Sequence, residues 1–321
     1  MNRWQAALHK RPVILDGPMG TAVEDAGYSI DDHPLWGSRV FLEPGGADLN
    51  DRIHRRYLEA GADVLIANTH NLSIGACLRT VVQTFGADRR RHVRARDLCE
   101  TLNQAAMASV GRVAQPDTVR AACLMSPDRP YAEVPAWTAD GVAEELSVQA
   151  RILAEAGVDL MIFEMVSTEP DLEGALRVGA HLGIPWAIGL TCGRLGRTRG
   201  GVCVERAALR AAQHGAAALF VQCTPVDGVE VALRRLRDAT LPIGAYANDG
   251  RRWDRGWQGC RISAGSYARA ARRWLDLGIR AVGGCCGTTE EHVRALVQLR
   301  NEPDRGARGE ARCTESTEAS T

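Results

Sequence analysis

Two adjacent cysteines, Cys285 and Cys286, interrupt the run Ala281-Val282-Gly283-Gly284-Cys285-Cys286-Gly287-Thr288-Thr289, where an apolar segment stops among glycines. Neighbouring cysteines make a poor disulfide on geometric grounds. The ten cysteines are scattered through a large chain of cytosolic type, in which reduced, buried or metal-bound thiols are the usual states. A metal would need a third ligand, and Cys223 is the best candidate. It closes the apolar run Ala216 to Gln222 and precedes the breaker pair Thr224-Pro225. Three soft thiolates on two strand ends would hold a zinc ion (Zn2+) and leave its fourth tetrahedral position open, the pattern of a catalytic rather than a structural site.

Residues just past the other apolar runs are also polar: Asp16-Gly17, Asn68-Thr69-His70, Glu164, Thr191-Cys192 and Asn248. Each has a plainer reading. A strand-end Asp or Asn often caps the next helix, and a buried cysteine is usually a small hydrophobe. The pair Gly283-Gly284 could serve close backbone packing alone. Together, however, these residues make a metal-capable ring on an apolar scaffold.

The elements that must position them are short apolar runs alternating with helical patterns. Eight runs read as buried strands, near residues 12–15, 62–67, 119–124, 158–163, 185–190, 217–222, 243–247 and 280–283. Helical signatures lie between them, such as Val142 to Ala156, Glu205 to His214 and Ser266 to Leu277, each followed by glycine. Buried strands alternating with helices pair in parallel, and a single α/β (β/α)8 barrel is the economical solution. Its active site belongs at the carboxyl ends of the strands. A doubly wound sheet is the rival, but the Gly-rich phosphate turn is missing after the first strand. The barrel is expected over residues 1–300, and residues 301–321 read as a disordered polar tail with Cys313 a bystander.

Formal net charge is zero, so neither nucleic acid nor an anionic membrane is expected as a partner. Lys10 is the only lysine, and the remaining basic residues are arginine. No signal peptide opens the sequence and no apolar run approaches the ~18 residues of a membrane span. The expectation is a cytoplasmic protein acting on small molecules; oligomeric state is not legible.

The segment Gly283 to Thr289, with Glu291-His292 downstream, resembles the signature of the homocysteine S-methyltransferase family. The resemblance covers almost the whole barrel. Asp16-Gly17-Pro18-Met19-Gly20-Thr21 is similar to the family's first strand end. Tyr57 to Asp63 leading to Asn68-Thr69 is similar to its second. Pro34-Leu35-Trp36 and Phe41-Leu42-Glu43 resemble the segment before it in stand-alone members. Glu164 falls where the family has a glutamate, Tyr246 to Gly250 resembles its Pro-Asn-x-Gly turn, and Cys223 matches its first zinc cysteine.

The resemblance implies zinc held by Cys223, Cys285 and Cys286, with Glu164 on the homocysteine ammonium and the backbone from Gly17 to Gly20 on its carboxylate. Asp16, Thr69 and Asn248 would join the substrate side. The homocysteine thiol would lose its proton on zinc and attack the methyl group of an onium donor. Tyr131, Trp137, Trp253 and Trp257 could face such a donor by cation–π attraction, and His70 could touch a substrate.

The chain departs from the family at the loop after the third strand. Ser126-Pro127-Asp128-Arg129-Pro130-Tyr131 replaces a Gly-Pro-Tyr-Gly sequence. Gln222 replaces an asparagine and His70 an aromatic. No cobalamin or folate segment and no long arm of the betaine-dependent kind is visible, so S-methylmethionine or S-adenosylmethionine is the expected donor, with betaine or another onium/thiol pair as alternatives. Other classes are zinc hydrolysis, which would want a general base beside the metal, and a structural-zinc or redox-sensing protein, which would need a fourth protein ligand such as Cys192.

Overall fold

The computed structural model describes residues 2–29, 33–127, 133–250, 252–253, 257–258 and 261–302. Eight strands pair in parallel in one sheet: Val13–Ile14, Val64–Ala67, Val119–Met125, Leu160–Val166, Trp186–Leu190, Ala218–Gln222, Ile243–Ala247 and Ala281–Gly284. The first strand pairs with the last, in the register Val13 with Ala281 and Ile14 with Val282. Helices separate successive strands, and the result is the α/β barrel expected from the alternation of runs.

The ring closes between the first and second strands through one bridge, Leu15 to Val64. Two aspartates complete this seam. Asp63 Oδ2 accepts the Ile14 N–H at 2.8 Å, and Asp16 Oδ2 accepts the Ile66 N–H at 2.8 Å. Side chains thus supply acceptors that a full backbone ladder would have provided. Arg300, whose side chain is only 4% exposed, pairs with Asp63 from the last helix, Glu290–Asn301.

Helix starts follow local chemistry. Thr168 and Asp171 form a reciprocal cap on Glu169–Gly179, with Pro170 in its first turn, and Thr138 and Ser263 accept from Gly141 N–H and Ser266 N–H at the starts of Ala139–Glu155 and Ala264–Asp276. The helix Arg3–Lys10 was not among the sequence expectations. Its Trp4 is fully buried, lies 6.1 Å from the Phe220 ring, and joins Val13, Leu15, Ile162 and Tyr246 in the barrel's inner cluster. A second, larger cluster lies between the strands and the surrounding helices. No helix among the described residues is long and apolar enough to cross a membrane.

Candidate active site

Cys223 follows the sixth strand with φ 44°, a left-handed conformation unusual for a side-chain-bearing residue. Neighbouring turns hold it there. Its N–H donates to Tyr246 O at 2.9 Å, and Asn248 Nδ2 donates to its carbonyl at 3.0 Å. The last strand delivers the other two cysteines, with Cys285 N–H on Ala247 O at 2.8 Å and Asp249 N–H on Cys286 O at 2.9 Å. Behind them the buried Tyr267 hydroxyl accepts the Ala247 N–H at 2.9 Å and donates to Gly283 O at 2.7 Å. The glycines answer geometry: a Cβ on Gly284 would lie 2.1 Å from Thr288 Oγ1, and Gly287 has φ 78°.

The three sulfurs lie within 4.8 Å of one another, with Cys223 Sγ and Cys286 Sγ 3.6 Å apart. A tetrahedral site with bonds of about 2.3 Å separates its sulfurs by roughly 3.8 Å, so the set fits zinc. Contact with Cys223 first, then with Cys286, together with burial, pushes the Cys285 thiol well above its ordinary range; Cys286 is raised chiefly by Cys223. A cation among them would reverse that pressure. No fourth His, Cys, Asp or Glu joins this cluster among the described residues. Cys192 is buried and stands outside it, its thiol pushed up to about 12 by burial.

Two carboxylates face the same mouth. Tyr246 Oη donates to Glu164 Oε1 at 2.8 Å, yet burial pushes Glu164 up to about 7, with the Cys223 thiol adding to the rise. Asp16 is raised well above the ordinary carboxylate range by burial, against the Ile66 N–H that lowers it and with the Glu164 charge that raises it further. Its Oδ1 is buried without a hydrogen-bond partner among the described residues. A cation bound beside these carboxyls would favour their charged forms. Glu164 is aimed by an irregularity: Met165 has φ 59°, and the register with the fifth strand shifts between Phe163 and Val166. The backbone from Gly17 to Gly20, where the helix Met19–Asp25 begins, backs onto aromatic rings. A Cβ on Gly17 would meet Tyr57 at 2.6 Å, and one on Gly20 would meet Trp36 at 2.2 Å.

Other expected residues are placed differently. Thr69 Oγ1 donates to Cys123 O at 2.7 Å and accepts its N–H at 3.1 Å, tying the second strand end to the third. Both polar atoms of the Asn248 side chain are engaged with backbone, Nδ2 on Cys223 O and Oδ1 from Gly250 N–H at 3.1 Å. His70 packs edge-on against Trp36 with ring centroids 4.7 Å apart; its Nε2 is buried without a partner among the described residues, and burial lowers the ring to about 4. Trp137 is exposed. Tyr131 lies outside the described residues. Trp257 pairs with Trp253 in a short antiparallel strand pair. At the departing loop, the Ser126 hydroxyl is bonded to Asp171 and its N–H donates to Glu164 O at 3.1 Å.

In the sequence, Gln222 stands out only as a replacement for an asparagine. The structure puts its amide between the Glu164 bulge and the thiols, donating to Cys285 Sγ at 3.8 Å. Its adjacency to Cys223 was the available signal.

The sequence model described as homocysteine S-methyltransferase matches residues 13–299. The chain is 26% identical to homocysteine S-methyltransferase YbgG of Bacillus subtilis (strain 168), over 92% of this chain and 97% of that protein. It is 25% identical to homocysteine S-methyltransferase 3 of Zea mays, over 94% of each. Among solved structures, the homocysteine methyltransferase MmuM from Escherichia coli superposes with a TM-score of 0.76 in its oxidized form, at 19% identity over 93% of this chain and 99% of that one. Its metallated form gives 0.70, at 21% identity over 92% and 99%. With a family match spanning nearly the whole barrel, the chain belongs to the homocysteine S-methyltransferase family.

Proposed function

We propose that the protein transfers a methyl group from a sulfonium donor, S-methylmethionine or S-adenosylmethionine, to the thiol of homocysteine, giving methionine. One observation carries this reading: three cysteine sulfurs within 4.8 Å of one another stand at the same barrel mouth as the buried acids Asp16 and Glu164. Cys223, Cys285 and Cys286 would hold zinc, which when bound acidifies a thiol brought to its open position.

The chain's own residues do the rest. Glu164, oriented by Tyr246, and the Oδ1 of Asp16, which has no partner among the described residues, offer negative charge to the substrate ammonium. The backbone from Gly17 to Gly20, at the start of the helix Met19–Asp25, offers N–H groups to its carboxylate. The donor's S–CH3 bond breaks as the new C–S bond forms, the bonding pair leaving with the donor sulfur as a neutral thioether, and the acceptor's thiol proton passes to solvent. A cationic donor and an anionic sulfur thus become neutral products, so positioning and dryness are the barrel's main contributions. The substrates are small molecules, and the expected setting is the cytoplasm.

The test is to measure zinc by mass spectrometry, then supply homocysteine with labelled S-methylmethionine, S-adenosylmethionine or betaine. Labelled methionine from a sulfonium donor is expected. Label transferred from betaine alone would reassign the donor, and zinc-replete protein making no methionine from any donor would refute the function.

A further inference from the structure

Gln222 ends the sixth strand and is 2% exposed. Its Oε1 accepts the Met165 N–H at 3.2 Å and the Thr191 hydroxyl at 3.0 Å, while its Nε2 donates to Cys285 Sγ at 3.8 Å. The amide has one possible orientation here. A backbone N–H can only donate, so the atom facing Met165 must be the oxygen, and the NH2 then faces sulfur. One side chain therefore joins the irregular end of the fourth strand, the end of the fifth, and a thiol delivered by the last.

Both ends meet groups the proposed reaction uses. At the oxygen end, Met165 has φ 59°, a conformation that persists only where surroundings hold it, and the residue before it is Glu164. Thr191 and Met165 converge on the same oxygen, and the Thr191 hydroxyl also lies 3.5 Å from Met165 Sδ. At the nitrogen end, the amide N–H is aimed at the sulfur of Cys285 and fixes its direction.

We propose that Gln222 is a positioning residue that ties the metal ligand Cys285 to the backbone turn aiming Glu164, so that the thiol site and the ammonium site are set by one amide. This rests on the zinc-dependent reading above.

Two substitutions separate its ends. Q222M keeps the length and loses every hydrogen bond. Zinc affinity, measured by competition with a chromophoric chelator, should fall about 10–100-fold, as for other residues that orient metal ligands, and the homocysteine KM of the zinc-saturated enzyme should rise several-fold. Q222E keeps an oxygen for Met165 and Thr191 but turns an acceptor toward Cys285. It should weaken zinc and shift the sulfur-to-cobalt absorption of the cobalt-substituted protein, with the homocysteine KM of the zinc-saturated enzyme rising less than in Q222M. A merely structural role would lower melting temperature without this split. Wild-type zinc affinity and an unmoved cobalt band in both variants would overturn the inference. If the wild-type chain holds no metal, the reading beneath it falls, and this inference with it.

Discussion

At the scale of residues, the proposed function gives thiols and acids separable jobs. Cys285→Ala should abolish both bound zinc and methyl transfer, because two thiolates leave a tetrahedral ion short of ligands. Glu164→Gln should keep the metal and raise the homocysteine KM about 30-fold or more, the consequence of truncating one partner of a buried charge pair. Elemental analysis and steady-state kinetics on the two variants check this division. His54 supplies a pH test away from the metal. It is fully buried, neither ring nitrogen has a partner among the described residues, and burial lowers it to about 4 from 6.5 against the opposing charge of Asp51. The unfolded chain then binds a proton between those values that the folded one refuses. Stability is therefore lost as pH falls through that window, by up to about 3 kcal/mol. Urea melts at pH 7 and pH 5 should show that pH-dependent part absent in His54→Leu. The cysteines were legible because adjacent thiols at a strand end have few structural uses. Thr69 and Asn248 were legible as strand-end residues, but that their polar atoms are engaged with backbone depends on turns formed by other strands.

At the scale of elements, all eight strands were visible as apolar runs, since strands buried on both faces leave continuous hydrophobic signatures. The exceptions to regular pairing were not visible. The turn at Met165 and the aspartate-stitched seam need partners distant in sequence, Gln222 for one, Ile66 and Arg300 for the other. The seam carries a prediction of its own. Asp63→Ala removes the acceptor for Ile14 N–H and leaves Arg300, nearly buried, without its carboxylate. A loss of about 3 kcal/mol is expected by urea denaturation at neutral pH; a change under about 0.5 kcal/mol, the level of an ordinary surface substitution, would show that the backbone closes the ring unaided.

At the scale of the whole molecule, stability and chemistry sit at opposite ends of the barrel. Trp4 closes the amino-terminal end against Phe220, while the cysteines occupy the other. Trp4→Ala should therefore cost about 3–5 kcal/mol and leave kcat/KM unchanged below its lowered melting temperature. That closure was not legible, because one tryptophan in a short, charged amino-terminal helix carries no strand or motif signal. The methyl donor is the other part not legible in the sequence, since the segment from Ser126 to Tyr131 departs from the family pattern. The most direct test of methyl transfer at the three-cysteine centre is to strip the metal with a chelator, restore zinc in steps, and follow methionine formation from homocysteine and S-methylmethionine or S-adenosylmethionine. Activity should disappear with the metal and return in proportion to zinc, saturating at about one ion per chain. Undiminished methionine formation by the metal-free protein would contradict it.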